Sequence, residues 1–397
     1  MVTYAGKLVL APMVRAGELP TRLLALKHGA DLVWSPEIID KKLIQCTRQV
    51  NEILNTVDFV VPSVKEGRAS GIVFRTLPAI EQGKLIFQMG TSTPSLAVEA
   101  ALKVIQDVDG IDVNAGCPKH FSIHAGMGAA LLKTPDKLCS ILTELVEKVG
   151  RPHNKPISVK IRILESEEAT LKLVERLCST GIANLTVHCR TTTTRNREAP
   201  IRDYIPPIYR VCKQHKVSLI MNGAIKNRQH FVQLLKDLEL PSDIGGMMAD
   251  CAESNPTVFQ EEPLPWYEVA KKYVAIAKQL DHNVGNIKYM MTRIVPGKSK
   301  FYQYFIRCKT ADEIYYVAER MDDNGEPIED PTEYLDKCRE NERQSKLKAN
   351  VLKSKKGKCI EQKVDLKGIR GCCIPRENKH SLEQEQEQEQ DPKKAKN

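Results

Sequence analysis

Short, β-rich apolar runs recur eight times in the first 251 residues, and helix-compatible segments separate them. They are KLVLAPM (7–13), DLVWSPEII (31–39), KLIFQMGT (84–91), GIDVNAG (110–116), ISVKIRI (157–163), NLTVHCRT (184–191), SLIMNGAI (218–225) and IGGMMADC (244–251). PSLAVEAALKVIQDV follows the third, PDKLCSILTELVEKV the fourth and TLKLVERLCSTG the fifth. Strand then helix, repeated eight times, predicts a parallel barrel rather than an open sheet. A doubly wound sheet would normally carry GxGxxG after an early strand, and AGMGAALL (125–132) lacks the third glycine. The longest gap, between the second and third runs, holds VDFVVP and IVFRT, which predict an inserted hairpin.

After Pro263 the pattern turns helical, with Val269, Tyr273, Ile276, Ala277 and Leu280 along one face of WYEVAKKYVAIAKQLDHN. Further helices are predicted from Asn286 to before Pro296, from Lys300 and from Thr310. The expected fold is therefore α/β: a (β/α)8 TIM barrel over residues 1–262, a small all-α helical domain over 263–345 and a basic, disordered tail over 346–397. Residues 345–379 hold eleven Lys or Arg against three acids, so much of the net charge of +9 sits there. Such a tail reads as a solvated segment or as a phosphate-seeking arm for nucleic acid.

No run of eighteen apolar residues exists, which argues against a membrane span, and the amino end does not read as a signal peptide. A monomer in a reducing compartment, the cytoplasm or nucleus, is expected. The twelve cysteines form no CxxC pair and no histidines sit beside them at ligand spacing, so no metal site is expected.

In such a barrel the active site lies at the carboxyl ends of the strands, so polar residues that interrupt the ends of apolar runs are informative. Gln88, Asn114 with Cys117, Lys160 with Arg162, His188 with Arg190, and Asn222 all stand there. Singly each has a bland reading: Lys160 and Arg162 as an outward face, His188 as a core histidine, Asn222-Gly223 as a turn. Together on one rim they predict a ligand site. Backbone donors in Asn222, Gly223 and Ala224 and in the stretch reaching Ala249 and Asp250 suit a phosphate, and a buried lysine beside a histidine suits a reduced flavin ring. At this level flavin mononucleotide (FMN) and a phosphorylated sugar both remain open.

The same residues carry a family resemblance. LAPM, DVNAGCP, GMGAALL, VKIR, VHCRT, NGAI and MMADC followed by NP resemble, in order over about residues 7–310, the motifs of the tRNA-dihydrouridine synthases. CPKHFS and KLVLAPMVRAGELPTRLLAL are most similar to the eukaryotic branch that acts at position 20 of the D-loop, in its fungal form. The resemblance implies an FMN-containing barrel and a helical domain that grips tRNA. It implies that NADPH or NADH reduces the flavin, which passes hydride to C6 of a uracil while Cys117 protonates C5. By the same resemblance Pro12, Met13, Val14, Gln88, Lys160, His188, Asn222, Gly223, Ala224, Ala249 and Asp250 border FMN, and Asn114, Lys160, Arg162 and Arg190 border the uracil.

Several positions depart from that pattern: Ala249-Asp250 stands where relatives have Gly-Arg, His124 where they have a lysine, and Cys189 where they have a glycine. The tail shows no double-stranded-RNA-binding domain. Tyr289, Arg293, Lys298, Lys300, Tyr302, Tyr304 and Arg307 interleave aromatic and basic residues, either as an RNA-gripping face or as an amphipathic core with solvated lysines. The competing functions are a flavoenzyme that reduces a free pyrimidine and a non-catalytic tRNA-binding protein.

Overall fold

The structure, a computed structural model, describes residues 2–62, 71–195 and 197–363. Its centre is a closed parallel barrel of β1 (Leu8–Leu10), β2 (Leu32–Trp34), β3 (Leu85–Gly90), β4 (Gly110–Ala115), β5 (Ile157–Arg162), β6 (Asn184–His188), β7 (Ser218–Asn222) and β8 (Gly245–Met248). Each strand pairs with the next, and β8 returns to β1. All eight apolar runs thus become barrel strands, each shorter than its run. The residues past each strand end, such as Gly116 to Phe121 and Gly223 to Ile225, turn away to form the rim.

Period-two alternation decides what faces where. In β5, Ile157, Val159 and Ile161 join the large core between barrel and helices, so Ser158, Lys160 and Arg162 point into the barrel. The inside is apolar on one side, with Val9, Leu32, Trp34, Ile86, Ile220 and Met247 packed around Tyr4. On the other side it is polar: Gln88 Nε2 and Ser158 Oγ both donate to Asp112, at 2.8 and 2.7 Å. Strand register then sets Arg162 beside His188 and His188 beside Asn222, with Lys160 opposite Asn114.

The insertion between β2 and β3 is a three-stranded antiparallel sheet of Thr47–Asn51, Thr56–Val61 and Gly71–Thr76, not the two-stranded hairpin expected. The extra strand, TRQVN, is polar and mostly exposed at the sheet edge, so it shows no alternation to read. Two buried ion pairs hold this sheet. Arg75 clasps Asp58 with both ends of its guanidinium, at 2.7 and 2.6 Å, and Arg22 Nε donates to Glu81 at 2.6 Å.

Helices Trp266–Gln279, Val284–Ile294, Lys300–Arg307 and Ala311–Glu319 follow the barrel, close to the ranges the periodicity predicts. Val269, Tyr273 and Ala277 are buried in a second core with Ile287, Met291, Phe301 and Phe305. Ala16 and Leu24 from the start of the barrel join that core, and Arg75 donates to the Leu280 carbonyl at 2.8 Å. Residues up to Leu335 form one compact unit and residues from Asp336 a second. In that second stretch a helix, Thr332–Lys363, continues into the segment expected to be disordered. Its run of Lys, Glu, Ala, Leu and Gln has high intrinsic helix propensity. The EQEQEQEQ run and the rest of the basic tail from 364 lie outside the described residues. No described helix is long and apolar enough to cross a membrane.

Candidate active site

A cavity of about 350 Å3 opens at the carboxyl ends of the strands. It is lined by Cys117, by Pro12, Met13, Val14, Gln88, Lys160, His188, Asn222, Gly223, Ala224, Ala249 and Asp250, and by Asn114, Arg162 and Arg190. The structure therefore brings every site residue singled out from the sequence to one place. Lys160, Arg162 and His188 face inward with the strand pleat and are neither a solvated face nor apolar core.

The loop that carries Cys117 is built by its own sequence. Asn114, at the end of β4, accepts from the Gly116 and Cys117 N–H groups through Oδ1, at 3.0 and 3.1 Å. Arg162 Nε donates to the Gly116 carbonyl at 3.0 Å, and Nη1 to the Thr191 carbonyl at 2.7 Å. From the GMGAALL stretch, the Ala129 N–H donates to the Cys117 carbonyl at 2.9 Å. Gly128 has a φ of +58°, and a Cβ there would meet the Cys117 carbonyl oxygen at 2.7 Å. Only glycine lets this turn close beneath the cysteine. His120 and His124 stand on the outer face of the loop with their Nε2 atoms 2.7 Å apart.

The charges are unevenly matched. Burial pushes the Cys117 thiol up, with the Glu37 carboxylate adding to the rise, so the sulfur holds its proton at neutral pH. Burial, with Arg162 next, pulls the Lys160 amine down to about 8. No acid pairs with Lys160 Nζ, and Arg162 Nη2 finds no acceptor, among the described residues. Burial, then Lys160, Arg162 and Arg190, takes His188 down to about 2, which keeps it neutral. Arg190 Nη1 lies 3.1 Å from His188 Nε2, so that nitrogen accepts and Nδ1 carries the proton. Below them Asp112 is pushed up to about 6 by burial, against its hydrogen bonds from Ser158 and Gln88.

Sequence reading missed several lining residues. Glu37 is a largely buried carboxylate just past β2 whose pKa is raised by burial. Its place after the apolar DLVWSP was the available signal. Glu253 and Tyr289 also line the cavity, with Tyr289 Oη donating to Glu253 at 2.5 Å and Arg293 Nη2 at 2.7 Å. Tyr289 comes from the helices after the barrel, and no local pattern places it there. Among the interleaved aromatics Tyr304 is buried in the helical core and Tyr302 packs against it, whereas Arg293, Lys298 and Lys300 are exposed. The face is thus basic with its aromatic rings turned inward.

A protonated thiol on a tied loop beside Lys160, Arg162 and Arg190 suits a planar ligand that can take up negative charge. The dihydrouridine synthase (Dus) family model matches residues 31–347. A Saccharomyces cerevisiae protein named as an NAD(P)+ tRNA-dihydrouridine(20) synthase is 59% identical over 90% of this chain and 94% of its own length. Its Schizosaccharomyces pombe namesake is 47% identical over 75% of this chain, but the match spans only 61% of that protein. An S. cerevisiae protein named for positions 20a/20b is 31% identical over 56% of this chain and 53% of its own.

Proposed function

The chain belongs to the dihydrouridine synthase family, and from that premise we propose that it reduces the C5–C6 double bond of the uridine at position 20 of the tRNA D-loop. The observation that carries this is the convergence of Cys117 with Lys160, Arg162 and Arg190 over the flavin-type rim of one cavity. FMN fits that rim: Lys160 makes no ion pair among the described residues and His188 is neutral, and the cavity lining includes the Gly223-Ala224 turn, with φ of +127° and +49°. Bound FMN supplies a hydride, taken from NADPH or NADH, to uracil C6.

The remaining work belongs to the chain's own groups. Hydride arrival at C6 places negative charge on C5 and the O4 carbonyl, and Arg162 Nη2, which lacks an acceptor among the described residues, is suited to O4. Cys117 Sγ gives its proton to C5, leaving a thiolate that recovers a proton from solvent. Asn114 serves by holding the loop that carries Cys117, through the two N–H groups it accepts. A uridine must leave the RNA stack to enter the cavity, and the exposed Arg293, Lys298 and Lys300 supply phosphate contacts that set its register. The protein acts as a monomer in this reading.

The test is to incubate the FMN-loaded protein and NADPH with tRNA lacking dihydrouridine, then map the reduced positions. Reduction at position 20 is expected. Reduction of free uridine without tRNA, or of 20a and 20b with 20 untouched, would overturn the reading.

A further inference from the structure

The loop after β1 holds a strained, exposed cation at the mouth of the cavity. Arg15 has a φ of +70°, in the left-handed region that a residue with a Cβ adopts at a cost and glycine adopts freely. The Gly17 N–H closes the turn on the Met13 carbonyl at 2.8 Å, and Asn286 Nδ2 donates to the Arg15 carbonyl at 2.6 Å. Ala16, next in the chain, is buried in the helical core. All of these contacts run through the backbone or through a neighbour, so glycine at position 15 would keep them with less strain. The turn itself has no need of the arginine side chain.

That side chain is placed where a ligand enters. The Arg15 guanidinium lies over the Tyr289 ring, 4.1 Å from its centroid, and Tyr289 lines the cavity. Stacking fixes the plane of the guanidinium and leaves its N–H edge open. Arg15 is exposed, and its side chain makes no hydrogen bond or ion pair among the described residues. Val14, beside it, is 49% exposed and also lines the cavity. The acids nearby serve a different cation: Glu253 accepts from the Tyr289 hydroxyl at 2.5 Å and from Arg293 at 2.7 Å, and Asp250 also acts on Arg293.

We propose that Arg15 grips a tRNA backbone phosphate next to the uridine that enters the cavity. This rests on the tRNA reading given above. A base that leaves the stack swings into the pocket while its flanking phosphates stay at the mouth. There a guanidinium edge held in one plane can meet two phosphate oxygens at once. Backbone strain at Arg15 is then the cost of setting a charged group at that point. Arg293, Lys298 and Lys300 come from the helices and Arg15 from the barrel, so both parts of the chain hold the RNA.

The experiment measures binding of the FMN-loaded protein to a tRNA transcript lacking dihydrouridine over a range of salt concentrations, together with the melting temperature of each variant. For Arg15→Gly the dissociation constant rises about fivefold or more, and the slope of log affinity against log salt becomes shallower by about one. Its melting temperature is held, because relief of the left-handed strain offsets the lost stacking on Tyr289. Arg15→Lys keeps the charge and with it the wild-type slope. An unchanged constant and slope in Arg15→Gly overturns the assignment. So does a clearly lower melting temperature with the slope intact, which means that Arg15 only braces Tyr289. Failure of the wild-type protein to bind tRNA overturns the tRNA reading itself and this assignment with it, an outcome distinct from the other two.

Discussion

At the scale of single residues, the site separates a group that must keep its proton from one that must keep its charge. Cys117 is held protonated by burial, so Cys117→Ala removes the acid without disturbing the flavin rim. Flavin reduction by NADPH in that variant is expected at a near-normal rate, with uridine reduction slowed about 10²-fold or more; full activity on tRNA would remove Cys117 from its role. Lys160 behaves oppositely. Burial favours its neutral form, so it is charged below a pH of about 8 and loses that charge as pH rises through this value. Single-turnover uridine reduction is expected to fall above that pH, while the thiol, with its raised pKa, is still protonated. In Lys160→Arg the fall should move to higher pH; an unmoved profile would assign it to another group. The types and strand-end positions of Cys117 and Lys160 were legible in the sequence. Their proton affinities were not, because both are set by burial and by charges brought from elsewhere in the barrel, such as Glu37 for Cys117 and Asp112 for Lys160.

At the scale of elements, parity and loop closure do the positioning. Alternation in ISVKIR sends Ser158, Lys160 and Arg162 inward as one set, and a shift of one residue would send Ile157, Val159 and Ile161 there instead. The sequence showed the alternation but not its sense, which is why an outward basic face was an equal reading before the helices were packed outside. The Cys117 loop depends on Gly128, eleven positions on. Gly128→Ala meets both a left-handed backbone and the Cys117 carbonyl. It should cost about 1–3 kcal/mol of stability, measured by denaturant unfolding, and slow uridine reduction more than flavin reduction. Unaltered unfolding and kinetics would show that the turn relaxes freely. The edge strand Thr47–Asn51 was illegible because an exposed polar edge leaves no apolar period. Tyr304 was misleading in the other direction, since helical spacing alone does not say which face is covered.

At the scale of the whole molecule, the barrel and the helices to Leu335 are one compact unit, in which Ala16 and Leu24 share a core with Phe301 and Phe305. A chain ended at residue 262 would expose that core and leave Arg75 without the Leu280 carbonyl, so it should not fold, as read by circular dichroism and melting. A chain ended at 345 should keep flavin reduction. It should bind tRNA with a shallower dependence of log affinity on log salt, since all eleven Lys or Arg and the three acids of 345–379 are removed; an identical slope would mean that the tail touches no phosphate. The sequence by itself determined the alternating barrel, the Cys117 loop and the family, because periodicity and short motifs are local properties of the chain. Tertiary structure alone decided that Glu37, Glu253 and Tyr289 enter the cavity, that Lys160 makes no ion pair among the described residues and that Arg202 meets Gly223. Those facts depend on contacts between residues far apart in sequence, which closing the barrel and docking the helices bring together.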